Sequence, residues 1–508
     1  MSKLSLMLKG SALRTAEAVV AIIAGFITLP MLLHHLGEDL YGFWVLAGSF
    51  TGLMYIFDLG FAAAVTRNVT HAISNADHTK ANKVINSSLL IYTGLCAVIV
   101  LVVILVAFFY RPDLSDVISE REFQLVLILL GLTVAAEFPV KAFAGVATAH
   151  YRYDLLSTYR IALKVASTIT VITLLYLGYQ VIAIATVGLI FGAVGNLLFY
   201  ILAKAIYSEM RLSRQYAEKK TMKELFSYSS WAFLIDVNQM IKQRIDIFFI
   251  GGFISLAAVS VYYVSVRLVE YSSQLLFKML NIALPVLTDH TARADKVKFR
   301  DDLILFNRMN CYCAAITIGG FILLGEPILY YWMGSDFDYQ TGYHILLVLL
   351  FGRMSSLAAN AFNTGLLATS QHKLTAKISF FETCLSALLL GIGLPIYELG
   401  PLFAAYAISA PLLVGRLLLL PILAGKALSV ERLHSLMIGS FRPLLLIPMV
   451  YLLDLSLNRD TPEITWNLAA TVLAAAGIGL AFLIFDMSAR ERGLAKRVTP
   501  RFLIKREA

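Results

Sequence analysis

"YIFDLGFAAAVTR", Tyr55 to Arg67, holds one acid, Asp58, and one base, Arg67, in a run that is otherwise almost wholly apolar. Nine residues separate the two charges. On a continuous helix that spacing sets them on opposite faces, roughly 13 Å apart along the axis. They cannot neutralise each other, so Asp58 needs a base from another segment, or water. Whether the surrounding solvent is protein or lipid decides the fold.

The whole chain answers that. Of 508 residues, 59% are hydrophobic and only 15% charged, against about 25% charged in soluble domains. A surface this apolar belongs in a bilayer. The net charge of +9 does not mark a nucleic-acid binder, because the bases sit in short loops between apolar runs, as the positive-inside rule expects. Cys96, Cys311, Cys313 and Cys384 all lie inside apolar runs. Cys311 and Cys313 are two apart and point to different sides of a helix, which fits neither a metal site nor a disulfide framework. They read as apolar filler. The first apolar run holds Arg14 and Glu17 and has no cleavage site of signal-peptide type.

About 20 apolar residues cross a hydrocarbon core of ~30 Å. Fourteen such runs lie near 10–33, 41–66, 84–109, 122–147, 157–177, 181–203, 225–250, 257–288, 303–330, 342–368, 375–395, 401–425, 434–454 and 465–487. No alternating strand pattern appears. The expected fold is an all-α polytopic membrane protein of about fourteen transmembrane helices. With the N-terminus in the cytoplasm, 27 Lys and Arg fall in cytoplasmic loops and tails, and only Arg111, Arg121 and Arg459 outside. That asymmetry fixes the orientation, with both termini cytoplasmic. The basic tail is expected on anionic lipid headgroups.

The loop at 204–224 is long and basic and follows the sixth span. On either side, "AFAGVATAHYRYDL" (142–155) and "AFNTGLLATSQHKL" (361–374) align at a shift of roughly 220 residues, matching Ala142 with Ala361, Phe143 with Phe362, Ala149 with Ala368 and Leu155 with Leu374. The expected organisation is an N-lobe over 1–203, a cytoplasmic linker over 204–224, a C-lobe over 225–425, two further helices over 426–487 and a tail over 488–508. Six spans return the chain to the same side, so the repeats are parallel. Such transporters work by rocking one lobe against the other.

Bases and acids both fall inside the spans, the bases in excess. Each costs about 3 kcal/mol at mid-bilayer unless it faces a partner or a wet cavity. Helical spacing allows four local pairs: Arg14 with Glu17, Arg267 with Glu270, Glu137 with Lys141, and Lys242 with Asp246. Arg67, Arg160, Arg442 and Arg308 sit near cytoplasmic ends and can snorkel. Arg160 and Lys164 are like charges four apart, and Lys278 and Arg353 have no acid at helical spacing. The surplus of positive charge suits an anionic cargo, above all a diphosphate, which guanidinium groups grip in pairs. The candidate cargo-binding residues are Arg14, Lys141, Arg160, Lys164, Lys242, Arg244, Arg267, Lys278 and Arg353. The candidate coupling or gating acids are Glu17, Asp58 and Asp236. There is no phosphate-cradling GxxxxGK[ST] loop, and neither a catalytic signature, a metal site nor a cofactor site is expected.

The segment "LLHHLGEDLYGFWVLAGSFTGLMYIFDLGFAAAVTR" (32–67) resembles the multidrug/oligosaccharidyl-lipid/polysaccharide flippase superfamily, and in particular its polysaccharide-export branch of Wzx-type O-antigen and exopolysaccharide flippases. Gly37, Tyr41–Trp44, Asp58–Gly60 and Arg67 carry the pattern, which has no clear counterpart in the C-terminal half. The resemblance implies a flippase, not an enzyme, of the bacterial inner membrane. Its cargo would be a polyprenyl-diphosphate-linked oligosaccharide, its coupling ion H⁺ or Na⁺, and its neighbours the polysaccharide polymerase and export proteins. A multidrug antiporter of the same superfamily carries cations, which a positive interior disfavours. A lipid II flippase differs only in cargo. A membrane glycosyltransferase needs a larger external loop than any present here.

Overall fold

The computed structural model describes residues 3–58, 60–109, 117–280, 283–428 and 441–456, with isolated positions between 469 and 477. Among these residues every regular element is helical. Nine helices among the described residues are long and apolar enough to cross a membrane. Their outward faces are greasy, with Leu101, Phe109, Ile169, Leu197 and Phe380 exposed, which suits lipid as solvent. The fold is the expected all-α polytopic one. The fourteenth span and the basic tail lie outside the described residues, as does the start of the thirteenth.

The chain forms two compact units, residues 1–264 with 390–401, and residues 265–389 with 402–508. In the first, α1 (Lys3–Leu53) is kinked at Gly37, whose φ of 76° only glycine adopts freely. The second span is not one continuous helix, contrary to the expectation for Tyr55–Arg67. A 3₁₀ turn, Met54–Asp58, ends at Gly60 (φ 72°), from which α2 (Phe61–Ser74) starts. There follow α3 (His78–Phe109), α4 (Glu120–Glu137), a 3₁₀ turn at Pro139–Phe143, α5 (Ala144–Ala149), α6 (Tyr153–Tyr176), α7 (Val181–Ile206) and α8 (Lys219–Phe253). Ser119 and Glu122 form a capping box at the start of α4, satisfying amide groups that the helix leaves unpaired. The core gathers Phe61, Val65 and Val69 of α2 with Tyr92 and Ile99 of α3 and with Phe138 and Phe143. A Cβ on Gly145 would lie 2.5 Å from Val69 Cβ, so α5 packs on α2 only because that position has no side chain.

The basic linker is strapped to α3. Asn82 donates to Glu209 O (2.9 Å) and accepts from Arg211 N (2.7 Å), and Asn86 donates to Arg211 O (2.8 Å) and accepts from Ser213 N (2.9 Å). Four helical residues rise about 6 Å, close to two residues of extended chain. The two carboxamides therefore act on the linker as a neighbouring strand would. Ser87 accepts from Glu218 N (3.0 Å) and Lys83 pairs with the Glu218 carboxylate (3.2 Å). Lys83 holds that carboxyl below the usual carboxylate range.

In the second unit, α9 (Leu256–Leu280) arrives from the first, followed by α10 (Ala283–Ala292), α11 (Lys296–Met333), α12 (Tyr339–Ala358), α13 (Asn360–Ala368) and α14 (His372–Tyr397). Then come α15 (Pro401–Leu413), a π-helical turn at Val414–Leu419, α16 (Leu420–Ala427), a 3₁₀ turn at Arg442–Leu445 and α17 (Leu446–Ser456). The sequence repeat has a backbone counterpart. Left-handed residues recur 218 to 220 positions apart: Ala76 (φ 56°) with Ala294 (55°), Tyr151 (56°) with Ser370 (61°), and Gly178 (84°) with Glu398 (50°). The first two pairs share one hydrogen-bond pattern. Asp77 N reaches Ala72 O as Asp295 N reaches His290 O, and Arg152 N reaches Ala147 O as Gln371 N reaches Leu366 O. These are Schellman closures, placed at equivalent turns of the repeat.

Removing one carboxamide of the strap tests it. Asn86→Ala should lower stability by roughly 2 kcal/mol, the net worth of two hydrogen bonds, and speed tryptic cleavage after Arg211 and Arg214 in detergent. Cleavage at the wild-type rate would mean that the linker is not held by this ladder.

Candidate functional site

Two membrane spans of the first unit lose their α-helical form, at Met54–Asp58 and Pro139–Phe143. Proline removes an amide donor and blocks the preceding turn, so the second break has a clear cause. Asp58 sits at the end of the first. Its carboxylate accepts from Tyr92 (2.9 Å) and Lys141 Nζ (3.2 Å). Lys141 lies 4.3 Å from the Phe138 ring centre and 5.1 Å from that of Tyr55, an attraction between cation and ring face. Tyr55 in turn donates to Glu137 (2.6 Å). Asp58 thus meets a base from another span, as required.

This arrangement corrects one local pair. Glu137 and Lys141 are four apart, but the 3₁₀ turn between them shifts Lys141 off the helical register, and each takes a partner from the second span instead. A second correction concerns Arg14 and Glu17. Arg14 stacks over the Tyr153 ring at 3.6 Å, and Glu17 pairs with Arg160 at 3.7 Å. Here α1 packs along α6, and the neighbouring helix offers a better partner than the same one. A third concerns Asp246, which is buried and accepts from Tyr262 (2.8 Å) and Ile247 N (2.9 Å), so its ligands come from outside the expected Lys242 pairing. The fourth pair forms as its spacing implies, with Arg267 2.9 Å from Glu270.

The other candidates are spread out. Arg244 lies 3.4 Å from the Ser49 hydroxyl. Lys164 and Lys278 are exposed and Lys242 half-buried. The Asp236 side chain lies outside the described residues. Arg353, in the middle of the tenth span, is accessible and lies 5.4 Å from the Phe277 ring centre. The second unit also holds a cavity of about 520 Å³, lined by Ile318, Phe351, Met354, Leu413, Leu417 and Tyr451 among others. Its wall is almost wholly apolar.

The charge pair that the sequence did not assign is Glu382 with Arg416. Arg416 Nη2 donates to Glu382 Oε2 at 2.8 Å, its Nε lies 2.7 Å from Oε1 without an aligned hydrogen bond, and both side chains are buried. Thirty-four residues separate them, so no helical spacing points to the pair. Depth does: read against the span bounds, both fall in the same half of the bilayer, as do Asp58 and Lys141. Among the described residues no three His, Cys, Asp or Glu side chains gather as a metal site.

Replacing Asp58 with Asn leaves Lys141 without its counter-charge. About a fifth of each side chain stays accessible, so the loss should be about 2 kcal/mol, below the 3–5 kcal/mol of a fully buried pair. Asp58→Asn and Lys141→Met should each lower Tm in detergent, and the double variant should lose less than the sum. Strict additivity would show that the two groups are energetically independent.

Residues 7–290 match the model of a family described as polysaccharide biosynthesis protein. Over 359 residues, 70% of this chain and 83% of the relative, the sequence is 22% identical to a protein named "Putative O-antigen transporter" from Shigella flexneri. Among solved structures, lipid II flippase MurJ in its inward closed conformation superposes with a TM-score of 0.68 at 15% identity, covering 96% of this chain and 99% of that one. An inward-facing multidrug resistance MATE family transporter of the MOP superfamily gives 0.63 at 12% identity, covering 82% and 99%. At these identities the structural likeness is one of fold.

Proposed function

We propose that this chain, which belongs to the polysaccharide biosynthesis protein family, flips a polyprenyl-diphosphate-linked oligosaccharide from the cytoplasmic to the periplasmic leaflet of a bacterial inner membrane. It does so by alternating access, for cell-surface polysaccharide synthesis, with H⁺ or Na⁺ as the coupling ion. One observation carries the reading: the second unit holds both an accessible mid-membrane guanidinium, Arg353, and an apolar cavity. An amphiphile with an anionic head and an isoprenoid tail satisfies both features at once. Arg14 and Arg244 lie against a ring and a hydroxyl, and can serve an anion on its path. Lys141 and Arg160 are held by acids in this conformation and would become available only as those pairs open. The Asp58–Lys141 pair is the candidate gate, since an ion that neutralises Asp58 frees Lys141.

The relative from Shigella flexneri supports an O-antigen-type cargo, whereas the MurJ likeness leaves lipid II as the alternative. Cells lacking the protein should separate the two. They should accumulate a diphosphate-linked oligosaccharide in the cytoplasmic leaflet, and its sugar composition identifies the cargo. Complementation with Arg353→Gln should leave surface polysaccharide at a tenth of the wild-type level or less, the order expected for one lost charge-assisted contact. Accumulation of no lipid-linked sugar would contradict the proposal.

A further inference from the structure

Burying an ion pair is a poor way to gain stability, because desolvation offsets the attraction. The Glu382–Arg416 pair is nonetheless supported by several unusual local features. Arg416 lies in a π-helical turn, Val414–Leu419, with Pro411 one turn before and Pro421 just after. Such turns add a residue to the helix and re-aim its side chains, and they concentrate at functional sites. A Cβ on the preceding residue, Gly415, would lie 2.8 Å from Glu382 Cγ, so α14 approaches this closely only because that residue is glycine.

The guanidinium is held on one edge only. Nε and Nη2 face the two Glu382 oxygens, at 2.7 and 2.8 Å. Nη1 has a long contact, 3.5 Å, to Asn363 Oδ1, which already accepts from Thr375 at 3.2 Å. Arg353 lies within electrostatic reach of Arg416 and of Glu270. The helices that carry Arg353 and Arg416 touch nearby: a Cβ on Gly352 would lie 2.6 Å from Ser409 Oγ. Two like charges within electrostatic reach repel, and an anion between them relieves that repulsion.

We propose that Arg416 and Arg353 form a two-pronged seat for a diphosphate, with Glu382 as the positioning residue that turns the Nη1 edge of Arg416 toward it. Arg353 is the accessible prong, and Arg416 is the buried prong that reads the second phosphate. Glu382 keeps the buried prong neutralised and oriented while the seat is empty. The inference rests on the cargo reading above and adds what distinguishes a diphosphate from a monophosphate.

The test compares two probes without sugar, a polyprenyl diphosphate and the polyprenyl monophosphate of equal chain length, binding to the full chain in nanodiscs. The wild type should prefer the diphosphate by about ten-fold, the size of one charge-assisted contact. Arg416→Gln should remove most of that preference and leave the monophosphate Kd unchanged. Glu382→Gln should act in the same direction, and Glu382→Asp should restore part of the preference. Arg416→Lys, which keeps the charge but loses the fork, decides the matter if the Gln variants do not fold: the preference should still fall at least about three-fold. A wild type that binds both probes equally would overturn the seat but not the cargo reading. Variants that weaken both probes alike, with the ratio unchanged, would assign the pair a purely structural role. A wild type that binds neither probe removes the cargo reading itself, and the seat with it.

Discussion

Lipid cannot solvate an isolated charge, and that constraint organises this molecule. Six described acids within the apolar spans have a specific partner. Asp58 takes Lys141 and Tyr92, Glu137 takes Tyr55, and Glu17 takes Arg160. Asp246 takes Tyr262, Glu270 takes Arg267, and Glu382 takes Arg416. Most of these contacts join different spans, so charge neutralisation also fixes which helices stand side by side. The pairs need local breaks in the helices, because a regular helix aims its side chains by its own period. The 3₁₀ turns at Met54–Asp58 and Pro139–Phe143 and the π-turn at Val414–Leu419 provide them.

The two units solve the same problem with different chemistry. Turns at equivalent positions repeat closely, down to left-handed residues and Schellman closures, so the backbone scaffold is shared. The charges do not repeat. At the repeat offset, Asn360 stands where the first unit has Lys141, and Leu163 and Leu197 stand where the second has Glu382 and Arg416. A common scaffold with unlike polar centres lets the two halves hold different charge pairs, a division that identical halves could not make.

Much of this was legible in the sequence. Apolar run length gave the all-α, membrane-spanning architecture. The motif around Asp58 carried the family resemblance, and the family match covers that region. The pairings were not legible from helical spacing, which proposed Glu137 with Lys141 and Arg14 with Glu17. Spacing assumes an unbroken helix, and Pro139 ends one between Glu137 and Lys141. For Glu17 the helix is intact, but α1 and α6 pack so closely that Arg160 reaches it. Matching charges by depth across spans, rather than along one span, pairs Asp58 with Lys141, Glu17 with Arg160 and Glu382 with Arg416. Depth follows from topology alone, so that signal was present. The π-turn was not, because nothing in "VGRLLL" sets it apart from an ordinary helix until Glu382 is placed beside Gly415.

The most direct measurement of the central claim is translocation itself. The purified chain is reconstituted in sealed vesicles with a polyprenyl-diphosphate-linked oligosaccharide, and a membrane-impermeant sugar-modifying enzyme is added outside. If the chain is a flippase, the accessible fraction should rise from about half, the share in the outer leaflet, toward completion. The same lipid should stay half accessible in vesicles that lack the protein. An accessible fraction that stays at half with the wild-type chain present, under an imposed H⁺ or Na⁺ gradient of either sign, would contradict the account.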